Sequence, residues 1–164
     1  MMGIDKNQVV IDYLLDCPQI ATSRLFFNYI NAKNDNVQLI TTANDRIIHA
    51  QYIDGSVLKR YTFNLIVFKS ITYNAIVKQV GYPDENIDDM LDVQGIIDWV
   101  DEQNEARNYP DFGPDCVVEE ITTLTDNPEL DGVNDDISPA LAQYSISIRI
   151  EYLDKSKMVW KKGA

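Results

Sequence analysis

The sequence predicts an α+β domain: a mostly antiparallel sheet with helices packed on one face. Three observations predict it. The stretch Tyr144 to Leu153, YSISIRIEYL, alternates without a break. Ile146, Ile148, Ile150 and Tyr152 share one parity, and Ser145, Ser147, Arg149 and Glu151 share the other, as a strand with one dry and one wet face requires. Asp54-Gly55 separates two runs of strand character and supplies the residues that a tight hairpin turn with positive φ prefers. Finally, the elements follow the order helix, strands with a hairpin, long helix, two more strands.

The first helix is expected from Asp5 to about Leu15. Asp5 suits an N-cap, and Val9, Val10, Tyr13, Leu14 and Cys17 recur at three- and four-residue spacing. Pro18 ends it, because the residue before proline avoids the α region. In SRLFFNYI, Leu25, Phe26, Tyr29 and Ile30 keep near-helical spacing, so a short helix and an irregular core segment are both open readings. NAKNDN is polar and turn-rich, hence a loop. VQLITT and IIHAQYI read as strands, and SVLKRYTFNLIVFKSI as the return strand of the hairpin. Tyr61, Phe63, Leu65, Val67 and Lys69 take one parity, which Lys59 joins only if the strand bulges or changes face. The apolar run Leu65 to Phe68 predicts a central strand covered on both faces.

TYNAIVKQVGYPDE, with room for one helical turn, connects this strand to the longest helix, ENIDDMLDVQGIIDWVDEQNEARNY, capped by Asp84 or Asn86. Its expected core stripe is Ile87, Met90, Leu91, Gln94, Ile97 and Val100 or Asp101, with Asp88, Asp89, Asp92, Asp98 and Asp101 mostly off the stripe. Acids in its first turn, Asp84, Glu85, Asp88 and Asp89, suit the helix N-terminus. Gly95 costs about 1 kcal/mol relative to alanine in mid-helix, which points to close packing on the sheet. After the breaker-rich YPDFGPD comes a strand, CVVEEITTL, and then TDNPELDGVNDDISPA, read as a long polar loop.

The 164 residues suit one domain, spanning 1–164 with a flexible acidic loop at 126–139 and a short basic tail at 154–164. A chain of this size buries roughly 68–70% of its unfolded surface, so a core needs no disulfide or metal. Cys17 and Cys116 read as two free thiols. No apolar run approaches the ~18–20 residues of a membrane span, and MMGIDKNQVV lacks the pattern of a signal peptide. A protein made in the cytoplasm is expected.

Charge is the most unusual property. The formal net charge is −12. From Gly81 to Asp136 there are eighteen acids against Arg107 alone, a net of −17, while the rest of the chain carries +5. Phosphates would be repelled by that middle segment, so direct nucleic-acid binding is not expected; KRYTFNLIVFK interleaves bases and aromatics but reads as a buried strand with lysines at its ends. Two readings of the acidity stand side by side. It is a solvated surface that aids solubility, or it docks on a basic partner surface.

No catalytic signature emerges. His49 is the one histidine, without metal-ligand spacing around it, and the chain contains no G-x-S-x-G, G-x-x-x-x-G-K-[ST] or G-x-G-x-x-G. Carboxylates abound, but an acid/base pair needs one member desolvated in a cleft, and nothing marks one. Placing Gly132 sixth in a calcium loop puts Asn127, Glu129 and Asp131 at one, three and five and Asp135 at nine, but Ser138 stands where a bidentate Glu belongs. A weak Ca²⁺ site is the remaining alternative there. No cofactor and no enzymatic activity are expected.

The stretches NQVVIDYLLD, QYIDGSVLKRYTFNLIVF, NIDDMLDVQGIIDWVDEQN and ALAQYSISIRIEYL, in that order over nearly the whole chain, resemble those of the tail terminator, or minor capsid, proteins of long-tailed bacteriophages and prophages. The resemblance implies a structural virion protein, assembled in the host cytoplasm, with no catalytic residues. It implies a ring, typically six-fold, from subunits that can be monomers in isolation. Such a ring caps the tail tube, stops its polymerisation and offers a surface to the head. Its partners would be further copies of itself, the tail tube protein and a head-completion protein, with neither nucleic acid nor membrane. The candidate interface residues are Asp54, Gly55, Lys59, Arg60, Asp131, Asp135, Asp136, Arg149 and Glu151. The alternative is a small acidic adaptor or inhibitor docking on a basic host protein.

Overall fold

A computed structural model describes residues 5–21, 24–28, 33, 36–42, 48–71, 85–134 and 140–158. The expected α+β architecture is present. The elements are α1 (Lys6–Leu14), α2 (Pro18–Ala21), β1 (Arg24–Phe27), β2 (Asn36–Thr41), β3 (Ile48–Gln51), β4 (Val57–Ile71), α3 (Glu85–Ala106), β5 (Cys116–Thr123), β6 (Glu129–Asn134) and β7 (Ala140–Asp154). Two 15-residue strands, β4 and β7, form the spine of one sheet. They pair antiparallel in unbroken register from Val57↔Asp154 to Ile71↔Ala140. The sheet order is β1-β2-β4-β7-β5, with β3 on β4 and β6 on β7. Each spine strand thus lends half its outer edge to one short strand and half to another. Among the described strands only β1 and β2 run parallel.

The alternation of YSISIRIEYL translates directly into packing. Ile146, Ile148 and Ile150 are fully buried, as are Phe63 and Leu65 of β4. Ser145, Ser147, Arg149 and Glu151 stay half-exposed on the other face. The inner face forms one core with Val10, Tyr13 and Leu14 of α1, Ile20 of α2, and Val93, Ile96, Ile97, Trp99 and Val100 of α3. Val67 and Phe68 are both buried, so one end of β4 is covered on both faces, as its apolar run predicts.

Local chemistry explains the α1 boundaries. Asp5 accepts a hydrogen bond from the Asn7 backbone N–H at 3.0 Å, as an N-cap does. Aromatic groups tie this helix to its surroundings. The Tyr13 ring lies 5.2 Å from that of Trp99, and its hydroxyl donates to the Asn108 carbonyl at 2.8 Å. The Tyr61 hydroxyl donates to Asn7 Oδ1, and burial, then the nearby Asp5 charge, pushes that phenol up to about 12.

Four expectations need correction. SRLFFNYI is neither helix nor irregular where described, because Arg24–Phe27 is a strand beside β2. The 126–139 segment is not wholly loop, because Glu129–Asn134 is β6 and pairs with β7. All six β6 residues are exposed, so no alternation marks them in the sequence. The buried stripe of α3 is Val93, Ile96, Ile97 and Val100, and Leu91 is 61% exposed. Apolar residues lie on more than one side of this helix, and periodicity alone does not choose between them. Gly95 makes room for the Gln19 side chain of α2, not for the sheet.

The helix ends in a Schellman motif: Asn108 N–H reaches the Gln103 carbonyl at 2.9 Å, and Arg107 N–H the Asn104 carbonyl at 3.2 Å. Arg107 takes the left-handed position, at φ 54°. Residues 72–84, Tyr29, Ile30, Asp135, Asp136 and 159–164 lie outside the described residues, as do the side chains of Ile87, Met90, Asp88 and Asp89.

Candidate functional site

Those of the predicted interface residues that the structure describes fall in four separate places. Asp54 and Gly55 form the β3–β4 turn. Gly55 N–H donates to the Tyr52 carbonyl at 3.1 Å, and Tyr52 N–H to the Ser56 carbonyl at 2.9 Å. Gly55 takes φ 88°, as the position after such a turn demands. Two bonds from Ser56, side chain then backbone, lower the Asp54 pKa. The tip is apolar: Ile53 is entirely exposed and Tyr52 half-exposed.

Lys59 and Arg60 point to opposite faces. Lys59 joins the Tyr61–Val67 parity without any bulge in the β4–β7 register, contrary to the expectation that it would need one. It reaches Asp154 at 2.8 Å, at the open end of the inner face, where a long stem lies along the core and its charge is paired. Burial disfavours the Asp154 charge, but hydrogen bonds from Lys59 and Ser156 outweigh it and hold the carboxyl at about 2. The folded form therefore binds fewer protons than the unfolded one, and the stabilisation is complete above about pH 4 and lost as pH falls towards 2. Asp154→Asn is expected to cost about 1 kcal/mol at pH 7 and to flatten the decline of melting temperature between pH 4 and 2. An unchanged acid limb would contradict the assignment.

Arg60 lies on the outer face, 3.9 Å from Glu151 and 3.3 Å from His49 Nε2. On the same face Arg149 sits in register with Thr62 and Thr122, and Ser147 donates to Asn64 Oδ1 at 2.7 Å. Asp131 belongs to the far end, at the register shift of β6. It accepts hydrogen bonds from Ser145 Oγ at 3.1 Å and Gln143 Nε2 at 3.3 Å. The calcium-loop alignment therefore places its central residues on an extended, paired strand instead of a ligand-wrapping turn.

What sequence reasoning missed is how charge divides between the two flanks of the sheet. On one flank β5 and β6 carry Glu119, Glu120, Glu129 and Asp131 and no base; on the other, β1, β2 and β3 carry Arg24 and His49 and no acid. The outward side of α3 adds Asp98, Asp101, Glu102 and Glu105, all exposed. Desolvation, then Asp98, Glu105 and Asp126, raise the Asp101 pKa, as crowded like charges do. Val117, Leu124, Leu130 and Val133 on this acidic flank are each 43–54% exposed. The i, i+3, i+4, i+7 spacing of the helix acids is readable in the sequence, but the strand order that gathers them with β5 is not.

Between the end of α3 and the free edge of β5 lies an open groove of about 590 Å³, lined by Asn104, Arg107, Tyr109, Val117, Val118, Glu119 and Glu120. Asn104 Oδ1 accepts from the Ile121 backbone N–H at 3.2 Å and from the Tyr109 hydroxyl at 3.0 Å. This side chain caps part of the β5 edge, and the register shift at Val118/Glu120 bends it. Both devices discourage strand addition.

Compared with protein-family models and with curated proteins, the chain matches none. Among the described residues no helix is long and apolar enough to cross a membrane.

Proposed function

We propose that the chain is a structural virion protein of a long-tailed phage or prophage, a tail terminator without enzymatic activity. Its copies close into a ring on the tail tube, end tube polymerisation and present a surface to the head. The observation that carries this reading is the division of charge between the flanks of the sheet. A ring closes through a heterologous contact, in which two different patches of each copy meet. An acidic flank with half-exposed apolar side chains, opposite a flank whose strands carry no acid, supplies two unlike patches. The sequence resemblance supports the same reading.

Light scattering after size exclusion tests it. A discrete species of several 18.7 kDa copies is expected at low salt, with its population falling between about 0.05 and 0.5 M salt as charge is screened. A strict monomer that also fails to bind purified tail tube would remove the reading. The acidic flank by itself also suits an adaptor that docks on a basic host protein. Capture of such a partner by a chain that never self-associates would favour that alternative.

A further inference from the structure

We infer that the groove between α3 and the β5 edge receives the basic segment after β7 from a second copy of this chain. This deepens the ring reading and rests on it. The occupant follows from charge, chemistry and direction. The groove is lined by Glu119 and Glu120 together with Val117, Val118 and Tyr109, and the carboxylates of Asp101, Glu102 and Glu105 stand on the adjoining helix. The segment reads Lys155-Ser-Lys-Met-Val-Trp-Lys-Lys162, four lysines around Val159 and Trp160. An indole suits the apolar lining side chains, and Arg107, the one base lining the groove among the described residues, offers its planar guanidinium to an aromatic face.

The course of residues 155–158 argues against the simplest alternative, a segment folding onto its own groove. On leaving β7, Lys155 N–H donates to the Asp115 carbonyl at 2.7 Å, and Met158 N–H closes a turn on the Lys155 carbonyl at 3.0 Å. That turn brings Lys157 and Met158 against Gly55, at the tip of the β3–β4 hairpin. The chain is thus aimed toward the β4 side of β7, whereas the groove lies beyond β5 on the other side. A basic segment that starts at the end of β7 and runs to the hairpin tip on the β4 side, and an acidic groove beyond β5, are two unlike patches of the kind a head-to-tail contact joins.

The test uses a fluorescein-labelled peptide of residues 154–164 and the full-length chain. Anisotropy is expected to show saturable, salt-sensitive binding, at least ten-fold weaker for the exposed-site double variant Glu119→Lys/Glu120→Lys and for a peptide carrying Trp160→Ala. In light scattering, Glu119→Lys/Glu120→Lys and Lys161→Glu/Lys162→Glu should each fail to associate, and their mixture should recover the wild-type mass. If wild type forms a ring but neither double variant changes it and the peptide does not bind, the docking proposal falls and the ring stands. If the peptide binds in the groove and only a two-copy species forms, alone or on tail tube, the docking stands and the ring falls; if the peptide binds but no multi-copy species forms under any condition, both fall. Release of the peptide site by Lys161→Glu/Lys162→Glu at monomer concentrations would show the segment in its own groove and overturn the proposal.

Discussion

Phe63→Ala is expected to destabilise the domain by about 3–5 kcal/mol. Phe63 is fully buried in the centre of β4. It lies in register with Ile148 of β7, and its ring centroid is 5.7 Å from that of Tyr61. The sheet spine cannot collapse to fill the vacancy, because β4 is clamped by β7 along its whole length and by β2 and β3 along its other edge. Removal of the ring therefore leaves a cavity as well as a lost transfer energy. Neighbouring Asn64, half-exposed on the other face, provides the contrast: Asn64→Ala loses one hydrogen bond to Ser147 and should cost about 1 kcal/mol. Chemical denaturation of both variants checks the pair. Equal losses would show that the two faces of β4 are not distinguished as the alternation requires.

Gly55→Ala is expected to cost about 2–4 kcal/mol, from two sources. A left-handed conformation costs a non-glycine residue roughly 1–2 kcal/mol, and Gly55 sits at φ 88°. In addition, a Cβ there would run into the carbonyl of Lys157. That obstacle is backbone, so relief requires moving either the turn or the 155–158 segment. Gly132→Ala is the control, since a Cβ at Gly132 meets nothing within 4 Å; its effect should stay within about 0.5 kcal/mol. Thermal melting separates the two, and faster amide exchange at Lys155 to Met158 in Gly55→Ala would locate the displacement. A Gly55→Ala variant as stable as wild type would mean that turn and segment are not packed together. Under the docking proposed above, in which the same contact aims the basic segment, the variant should also weaken copy-to-copy association.

Lys69 and Asp92 show how an ion pair can sit at the rim of a core. Lys69 is buried to 7% exposure on the inner parity of β4, and its Nζ lies 2.6 Å from a carboxylate oxygen of Asp92 on α3. A lysine this enclosed requires its charge to be paired, and Asp92, half-exposed, connects it to solvent. The pair therefore fixes the approach of helix and sheet at the end of the spine. It also makes one acid of the acidic segment structural, and leaves the outward acids of α3 and β5 exposed.

By itself, the sequence determined whatever depends on near neighbours in the chain. Alternation decided which residues of β7 face the core, because successive side chains of a strand must point to opposite sides. Asp5 marked the start of α1, and Asp54-Gly55 the hairpin, because capping and left-handed φ are properties of one or two residues. Tertiary structure decided what depends on distant partners. β1 and β6 are strands because β2 and β7 offer them backbone groups, and the exposed β6 carries no pattern of its own. Among several apolar sides of α3, the one that met the sheet and α1 became the buried stripe. The −17 of the middle segment is a sum over the chain, but strand order places Glu119, Glu120, Glu129 and Asp131 along one flank, and the turn after β7 sets Lys157 and Met158 against the hairpin tip. Periodicity is local and was legible; the juxtaposition of surfaces depends on pairing across the sheet and was not.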